Sequence, residues 1–215
     1  MDVVINIKGK IDTRTLQIAL RVLQAGELIA GPTDTLYGIL GDALQPEVVA
    51  RIFRLKRRAA GAPLPLICAD VAQARKMVRM EALAQRLAQH FWPGPLTLAL
   101  PAQPGIPAHL LAADGTLAVR VPAHELCRRL AKALGRPLTA TSANLSGFPP
   151  PRQVEEISDE IRQAVSLIFD EGKLAHSKPS TIVKITPQEI KLVREGVIQA
   201  SEIAGILGEP ILEKK

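Results

Sequence analysis

Apolar and polar positions along the chain switch between a helical period and a strand period, and the switches predict an alternating order of elements. Residues 3–7, VVINI, read as a short strand. Asp12 then precedes Leu16, Leu20 and Leu23 at helical spacing, with Gly26 behind them. That is an N-cap, one apolar face and a stop. ELIAGP (27–32) reads as a strand. PEVVARIFRLKRR (46–58) predicts a helix that starts on Pro46 and carries Val49, Ile52, Phe53 and Lys56 on helical spacing. PLPLICA and LTLAL read as strands, with the helical MEALAQRLAQHF between them. TLAVRVP is a strand, AHELCRRLAKAL a helix closed by Gly135, and RPLTA a strand. RQVEEISDEIRQAV (152–165) predicts one helix and SLIFDEG a strand. STIVKIT and IKLVREG predict two strands joined at Pro187, followed by a short helix, ASEIAGILG, and a tail, EPILEKK.

This is an α/β pattern without repeats or a low-complexity linker. It predicts one domain over residues 1–200 and a short C-terminal helix and tail over 201–215. The 215 residues, 47% hydrophobic and 22% charged, suffice for a real core. With four Phe, one Trp and one Tyr, that core must be aliphatic. Cys68 and Cys127 lie among apolar residues outside any CxxC pair and read as buried reduced thiols. The four histidines show no zinc spacing. The N-terminus is too short and polar for a signal peptide, and no apolar run approaches the roughly 20 residues that span a bilayer. These features predict a cytoplasmic protein without a membrane segment. The net charge of +6 suits an anionic partner, either nucleic acid or a phosphorylated small molecule.

The seventeen prolines cluster in the connections, so chemistry is sought there. GPTDTLYGILGDAL (31–44) gathers Thr33, Asp34 and Thr35 at a strand end, followed by glycines. It fits a hydrogen-bonded turn or a ligand contact, and matches neither a dinucleotide fingerprint nor a P-loop. RIFRLKRR (51–58) places Arg51, Arg54, Lys56, Arg57 and Arg58 together without an acid. It is either a solvated basic face or, at Lys56 and Arg58, a polyphosphate contact. Trp92, before Pro93-Gly94-Pro95, reads as a packing anchor. Arg120 alternates out of the apolar face of its strand and points either to solvent or into a pocket. TATSANLSGFPPP (139–151) supplies Ser142, Asn144, Ser146 and Gly147. With no GxSxG and no His-Asp partner, it suits a phosphate or ribose cradle better than a serine nucleophile.

Taken in order, PTDTLYG, KRR…PLPL, WPGPLT, VRVP, TSANLSG, PSTIV and LVREG resemble the YrdC/Sua5 family of threonylcarbamoyl-AMP synthases over about residues 10 to 200. The chain resembles the short, single-domain form. The resemblance implies an α/β fold with a twisted, open mixed sheet flanked by helices and a basic concave face. It implies synthesis of threonylcarbamoyl-AMP and pyrophosphate from L-threonine, bicarbonate and ATP, with Mg²⁺ brought by ATP and no metal held by the protein. The product would feed t6A modification of tRNA through a downstream transferase machinery, with a contact to tRNA or double-stranded RNA in prospect.

Carried onto this sequence, the resemblance puts Lys56 and Arg58 on the triphosphate as catalytic residues. Thr33, Arg120, Ser180 and the backbone of Ala140 fall on L-threonine, with Arg120 on its carboxylate. Thr116, Ser142, Asn144, Arg194 and the backbone of Pro150 fall on the nucleotide. Leu40 stands where the family commonly has glycine, Ala59 where it often has proline, Ala69 where it often has histidine, and Thr141 where proline usually precedes the SAN motif. The charged and hydroxyl positions are kept. Two other readings fit the same residues: a duplex-RNA or tRNA-binding module without catalysis, and a divergent YrdC/YciO-type paralogue acting on another amine.

Overall fold

A computed structural model describes residues 3–7, 11–57, 64–208 and 211–213. Strand β1 (Val3–Asn6) leads to helix α1 (Thr13–Gln24), where the Asp12 carboxylate caps the helix by accepting from Thr15 N–H at 2.7 Å. Strands β2 (Ile29–Gly31) and β3 (Gly38–Leu40) pair antiparallel around the 32–37 turn, and α2 (Pro46–Leu55) begins on its proline. Then come β4 (Leu66–Ile67), α3 (Val71–Met77), α4 (Ala82–Phe91), β5 (Leu96–Pro101), β6 (Thr116–Arg120) and α5 (Glu125–Leu134). Helix α5 ends on Gly135, whose φ of 71° is the left-handed conformation a helix stop favours. The short strands β7 (Leu138–Thr139) and β8 (Thr141–Ser142) follow, then α6 (Asp159–Ala164), β9 (Leu167–Asp170), β10 (Thr181–Ile185), β11 (Ile190–Arg194), α7 (Ala200–Leu207) and β12 (Leu212–Glu213).

The strands form two mixed sheets, one in the order β1-β9-β2-β3-β8 and the other β12-β11-β10-β5-β6-β4-β7. They meet along a seam. Beyond β3 the chain continues into the second sheet, where Gly41 O accepts from Thr139 N–H at 2.9 Å and Asp42 bridges to Leu138. The TAT run crosses back: Thr139 pairs in one sheet, Thr141 in the other, and Ala140 N–H between them donates to Pro65 O at 2.7 Å.

In the second sheet the period of two divides core from site. Leu96, Leu98 and Leu100 of β5, Leu117 and Val119 of β6, and Val183 and Ile185 of β10 are buried in the larger core, under α2, α4, α6 and α7. Thr97 and Ala99, Thr116, Ala118 and Arg120, and Ile182 and Lys184 of the same strands take the opposite face. A smaller core packs α1 and α5 on the other side through Leu23, Leu126, Leu130 and Phe169. Both thiols are fully buried within these cores, and burial pushes each up to about 12. Trp92 is buried and donates from Nε1 to Leu96 O at 2.6 Å, anchoring the turn before β5. Ile203 and Leu207 of α7 belong to the larger core. No helix among the described residues is long and apolar enough to cross a membrane.

Three departures from the pattern have local causes. Residues 152–165 are not one helix but a short 3-10 turn and α6. Ser158 breaks the run with extended backbone and caps α6 by accepting from Ile161 N–H at 3.5 Å, while Arg162 donates back to Val154 O at 2.7 Å. Helix α3 starts on Asp70, which accepts from Gln73 N–H at 2.8 Å in a stretch of weak apolar periodicity. Strands β3 and β8 are too short and too rich in small residues for a period to register.

Gly41 is required by close packing at the seam. A β-carbon there would lie 2.6 Å from Val48 Cγ1 and 2.9 Å from Leu28 Cδ2. Gly41→Ala is expected to cost about 1–3 kcal/mol through overpacking. The double variant Gly41→Ala/Val48→Ala should lose less than the sum of the two single variants in denaturant unfolding.

Candidate active site

The polar faces of β5, β6 and β10 floor a cavity of about 640 Å³, walled by the 33–38 turn, the end of α2, the 140–147 segment and the 179–180 and 193–194 segments. Thr33, Lys56, Thr116, Arg120, Ala140, Ser142, Asn144, Ser180 and Arg194 all line it. Nine positions from separate stretches of sequence thus converge. Pro150 does not line the cavity. Its neighbour Pro151 accepts from Tyr37 N–H at 3.0 Å, so this end of the proline run braces the 33–37 turn instead. Arg58 and Ala59 lie outside the described residues.

Lys56 sits at the C-terminus of α2 and is only 5% exposed. Its ammonium donates to Ser142 O at 2.6 Å, Asn144 O at 2.7 Å and Asn144 Oδ1 at 3.3 Å. Ser142 Oγ donates to Asn144 Oδ1, and Asn144 Nδ2 donates to Leu145 O at 3.0 Å and Phe148 O at 2.5 Å. Ser146 N–H completes the tie by donating to Lys56 O at 3.3 Å. The SAN loop is therefore wrapped around one buried cation, and Asn144 closes it. Arg57, the next residue, has φ 51° and pairs with Glu160 at 3.2 Å.

On the opposite wall the turn folds on its own hydroxyls. Thr33 Oγ1 donates to Leu36 O at 2.8 Å, accepts from Thr35 and Leu36 N–H, and shares a 3.0 Å hydrogen bond with Thr35 Oγ1. Thr33 is thus a hydrogen-bonded turn residue that also lines the cavity. Arg120 points into the pocket and not to solvent. Its Nη1 donates to Thr35 Oγ1 at 3.3 Å and pairs with Asp34 Oδ1 at 3.1 Å, out of line for a hydrogen bond. Leu40, at the family's glycine position, is fully buried against the smaller core. Behind this wall Tyr37 is buried, donates to Gly172 O at 2.8 Å, and has its phenol pushed up to about 12 by burial.

At the far end Ser180 shares a 2.9 Å hydrogen bond with Thr97 Oγ1, and Arg194 donates to Ser180 O from Nε and Nη2 at 3.1 and 2.8 Å. Thr116 Oγ1 donates to Asp114 Oδ1 at 2.6 Å, and Asp114 Oδ2 pairs with Lys184 at 2.7 Å. Asp114, Lys184 and Thr97 also line the cavity and were missed by sequence reasoning. For Lys184 and Thr97 the signal was present: each falls off the apolar face of its strand, as Arg120 does.

Among the described residues, the wall carries the cations Lys56, Arg120, Lys184 and Arg194 against one carboxylate, Asp114. That balance suits a polyanion. Among the described residues no group of three His, Cys, Asp or Glu could hold a metal ion, and the wall's carboxylate is already engaged by Lys184 and Thr116. Ser142 Oγ donates to an amide oxygen and not to a base. The arrangement can position and neutralise an anionic ligand.

The Sua5/YciO/YrdC family model, described as "Telomere recombination", matches residues 21–196. The chain is 35% identical over 210 residues to the threonylcarbamoyl-AMP synthase of Pyrococcus abyssi, covering 97% of this chain and 62% of that protein. It is 37% identical over 191 residues to a putative threonylcarbamoyl-AMP synthase of Methanocaldococcus jannaschii, covering 89% and 90%. The crystal structure of P. abyssi Sua5 complexed with L-threonine superposes with a TM-score of 0.92 at 34% identity, over 99% of this chain and 62% of that one. The chain thus spans less than two thirds of the P. abyssi protein.

Lys184, and after it Thr116, hold the Asp114 carboxyl down to about 2, while Asp114 and Glu189 hold Lys184 above its ordinary value. A carboxyl lowered on folding stabilises the fold above its unfolded value of about 4, and loses that contribution as pH falls through about 2. With 45% of the Asp114 side chain exposed, solvent screening keeps the effect to about 0.5–1 kcal/mol. Melting curves of wild type and Asp114→Asn should differ at neutral pH, with the wild type higher, and converge between about pH 4 and pH 2.

Proposed function

The chain belongs to the Sua5/YciO/YrdC family, and from that premise we propose that it makes threonylcarbamoyl-AMP from L-threonine, bicarbonate and ATP. The observation that carries this reading is the convergence of nine of the site residues that the resemblance implies on one cavity whose charged groups, among the described residues, are four cations and one carboxylate. The threonine-bound relative of the same fold supports an amino-acid site within it.

In this reading Arg120 takes the threonine carboxylate, with Thr33, Ser180 and the Ala140 backbone around the rest of the amino acid. Thr116, Ser142, Asn144 and Arg194 contact the nucleotide. Arg58 and Lys56 face the triphosphate. Lys56 adds its charge from behind the SAN loop and holds that loop in place. The amine of threonine captures bicarbonate to give a carbamate, releasing water. A carbamate oxygen then attacks the α-phosphorus of ATP, the bond to the β-phosphate oxygen breaks, and pyrophosphate leaves. The nucleophile is the substrate's own, so the protein's work is alignment, worth at best about 7–11 kcal/mol, and stabilisation of charge on the phosphates. Mg²⁺ would arrive on ATP, ligated by phosphate oxygens and water. The product would serve t6A formation on tRNA through a separate transferase, in the cytoplasm.

The test is direct. Purified protein with ATP, Mg²⁺, bicarbonate and L-threonine should yield threonylcarbamoyl-adenylate by mass spectrometry. Omitting threonine should abolish it, and Lys56→Ala should lower turnover about 100-fold or more. Ser142→Ala should weaken ATP binding with the melting temperature nearly unchanged. Turnover with another amino acid and none with threonine would reject threonine as the substrate. Salt-sensitive RNA binding without ATP binding would reject the enzyme reading altogether.

A further inference from the structure

The geometry points to Asp34 as a positioning residue for the amino-acid substrate, acting through Arg120; this rests on the reading that Arg120 takes the threonine carboxylate. Asp34 stands behind the cavity wall, with its side chain 8% exposed beside an Arg120 side chain 6% exposed. Its two oxygens face two partners, one through a hydrogen bond and one through charge alone. Oδ2 accepts from Ala123 N–H at 3.0 Å, just beyond the end of β6, and Oδ1 lies 3.1 Å from Arg120 Nη1. One carboxylate therefore grips both the chain leaving β6 and the guanidinium that β6 presents.

The neighbouring residue completes the hold. Thr35 Oγ1 accepts from the same Nη1 at 3.3 Å and is itself fixed by Thr33 Oγ1 at 3.0 Å. Among the described residues, the hydrogen bond and the ion pair of the guanidinium both run through Nη1. The remaining donors of the fork lie on a residue that lines the cavity, the arrangement a bidentate carboxylate needs. A buried cation without a counter-charge is costly, and a long side chain loses freedom when it binds. Asp34 answers both, keeping Arg120 buried and oriented before the substrate arrives.

Asp34 also carries a charge that repels a carboxylate. The two effects oppose, so their balance is measurable. We expect orientation to dominate, because the Thr35 hydroxyl that accepts and the Asp34 carboxylate that pairs by charge both face one guanidinium nitrogen and leave the other edge of the fork to the ligand.

Calorimetric titration of the full chain with L-threonine, and separately with ATP and Mg²⁺, tests this in Asp34→Asn, Arg120→Ala and the double variant. Asp34→Asn should weaken threonine binding roughly 10- to 100-fold and leave ATP binding within about threefold, and the double variant should bind threonine no worse than Arg120→Ala. Unchanged or tighter threonine binding in Asp34→Asn, or losses that multiply in the double variant, would overturn the inference. An Arg120→Ala protein that keeps its threonine affinity would instead reject the reading of Arg120 on which the inference rests. Should Asp34→Asn fail to fold, Asp34→Glu keeps the charge and displaces it by one methylene. It should lose threonine affinity and keep ATP affinity, and wild-type threonine binding in it would overturn the inference.

Discussion

The buried ammonium of Lys56 is the constraint on which the site depends. At 5% exposure it cannot rest on water, and a cation taken out of water must be met by oxygen acceptors. Two backbone carbonyls and the Asn144 amide oxygen supply them, all from the segment that carries the chain between the two sheets. The end of α2, the seam and the loop are thereby fixed relative to one another. Helix α2 starts on Pro46 and lays Val48, Val49 and Ile52 in the core, which sets the depth at which Lys56 emerges. Asn144 then closes the loop onto Leu145 O and Phe148 O.

The opposite wall follows the same logic with the charges paired differently. Arg120 is buried because Asp34 is buried beside it, and Asp34 is held by backbone at the end of β6. Between the two walls the floor is built from the residues that the period of two turns away from the core, Thr97, Ala99, Thr116 and Ala118 among them. Core and cavity are two faces of the same three strands, so the stability of the sheet and the shape of the site cannot be varied independently.

Much of this was legible in the sequence. The N-cap at Asp12, the proline start of α2, the glycine stop at 135 and the strands at 96–101, 116–120 and 181–194 each carried a period or a punctuation residue strong enough to read. The ordered motifs led to residues that line one cavity. What stayed hidden depends on partners distant in the chain. Strand β3 forms by pairing with β2 and β8, and β8 by pairing with β3, Gly38 with Ser142 and Ile39 with Thr141, and neither has an internal pattern. Asp34 reads as a turn residue until Arg120 and Ala123 are beside it. Asp114 reads as a loop acid until Lys184 meets it at 2.7 Å. The brace that Pro151 O gives the 33–37 turn through Tyr37 N–H has no sign in the proline run itself.

The most direct test is a crystal structure of the protein grown with L-threonine and a non-hydrolysable ATP analogue. The account predicts the threonine carboxylate within hydrogen-bond distance of the Arg120 guanidinium. It also predicts the phosphates against the SAN loop, with Lys56 still holding Ser142 and Asn144 from behind. Phosphates bound away from the Lys56 end of the cavity, or an amino acid bound without contact to Arg120, would contradict it.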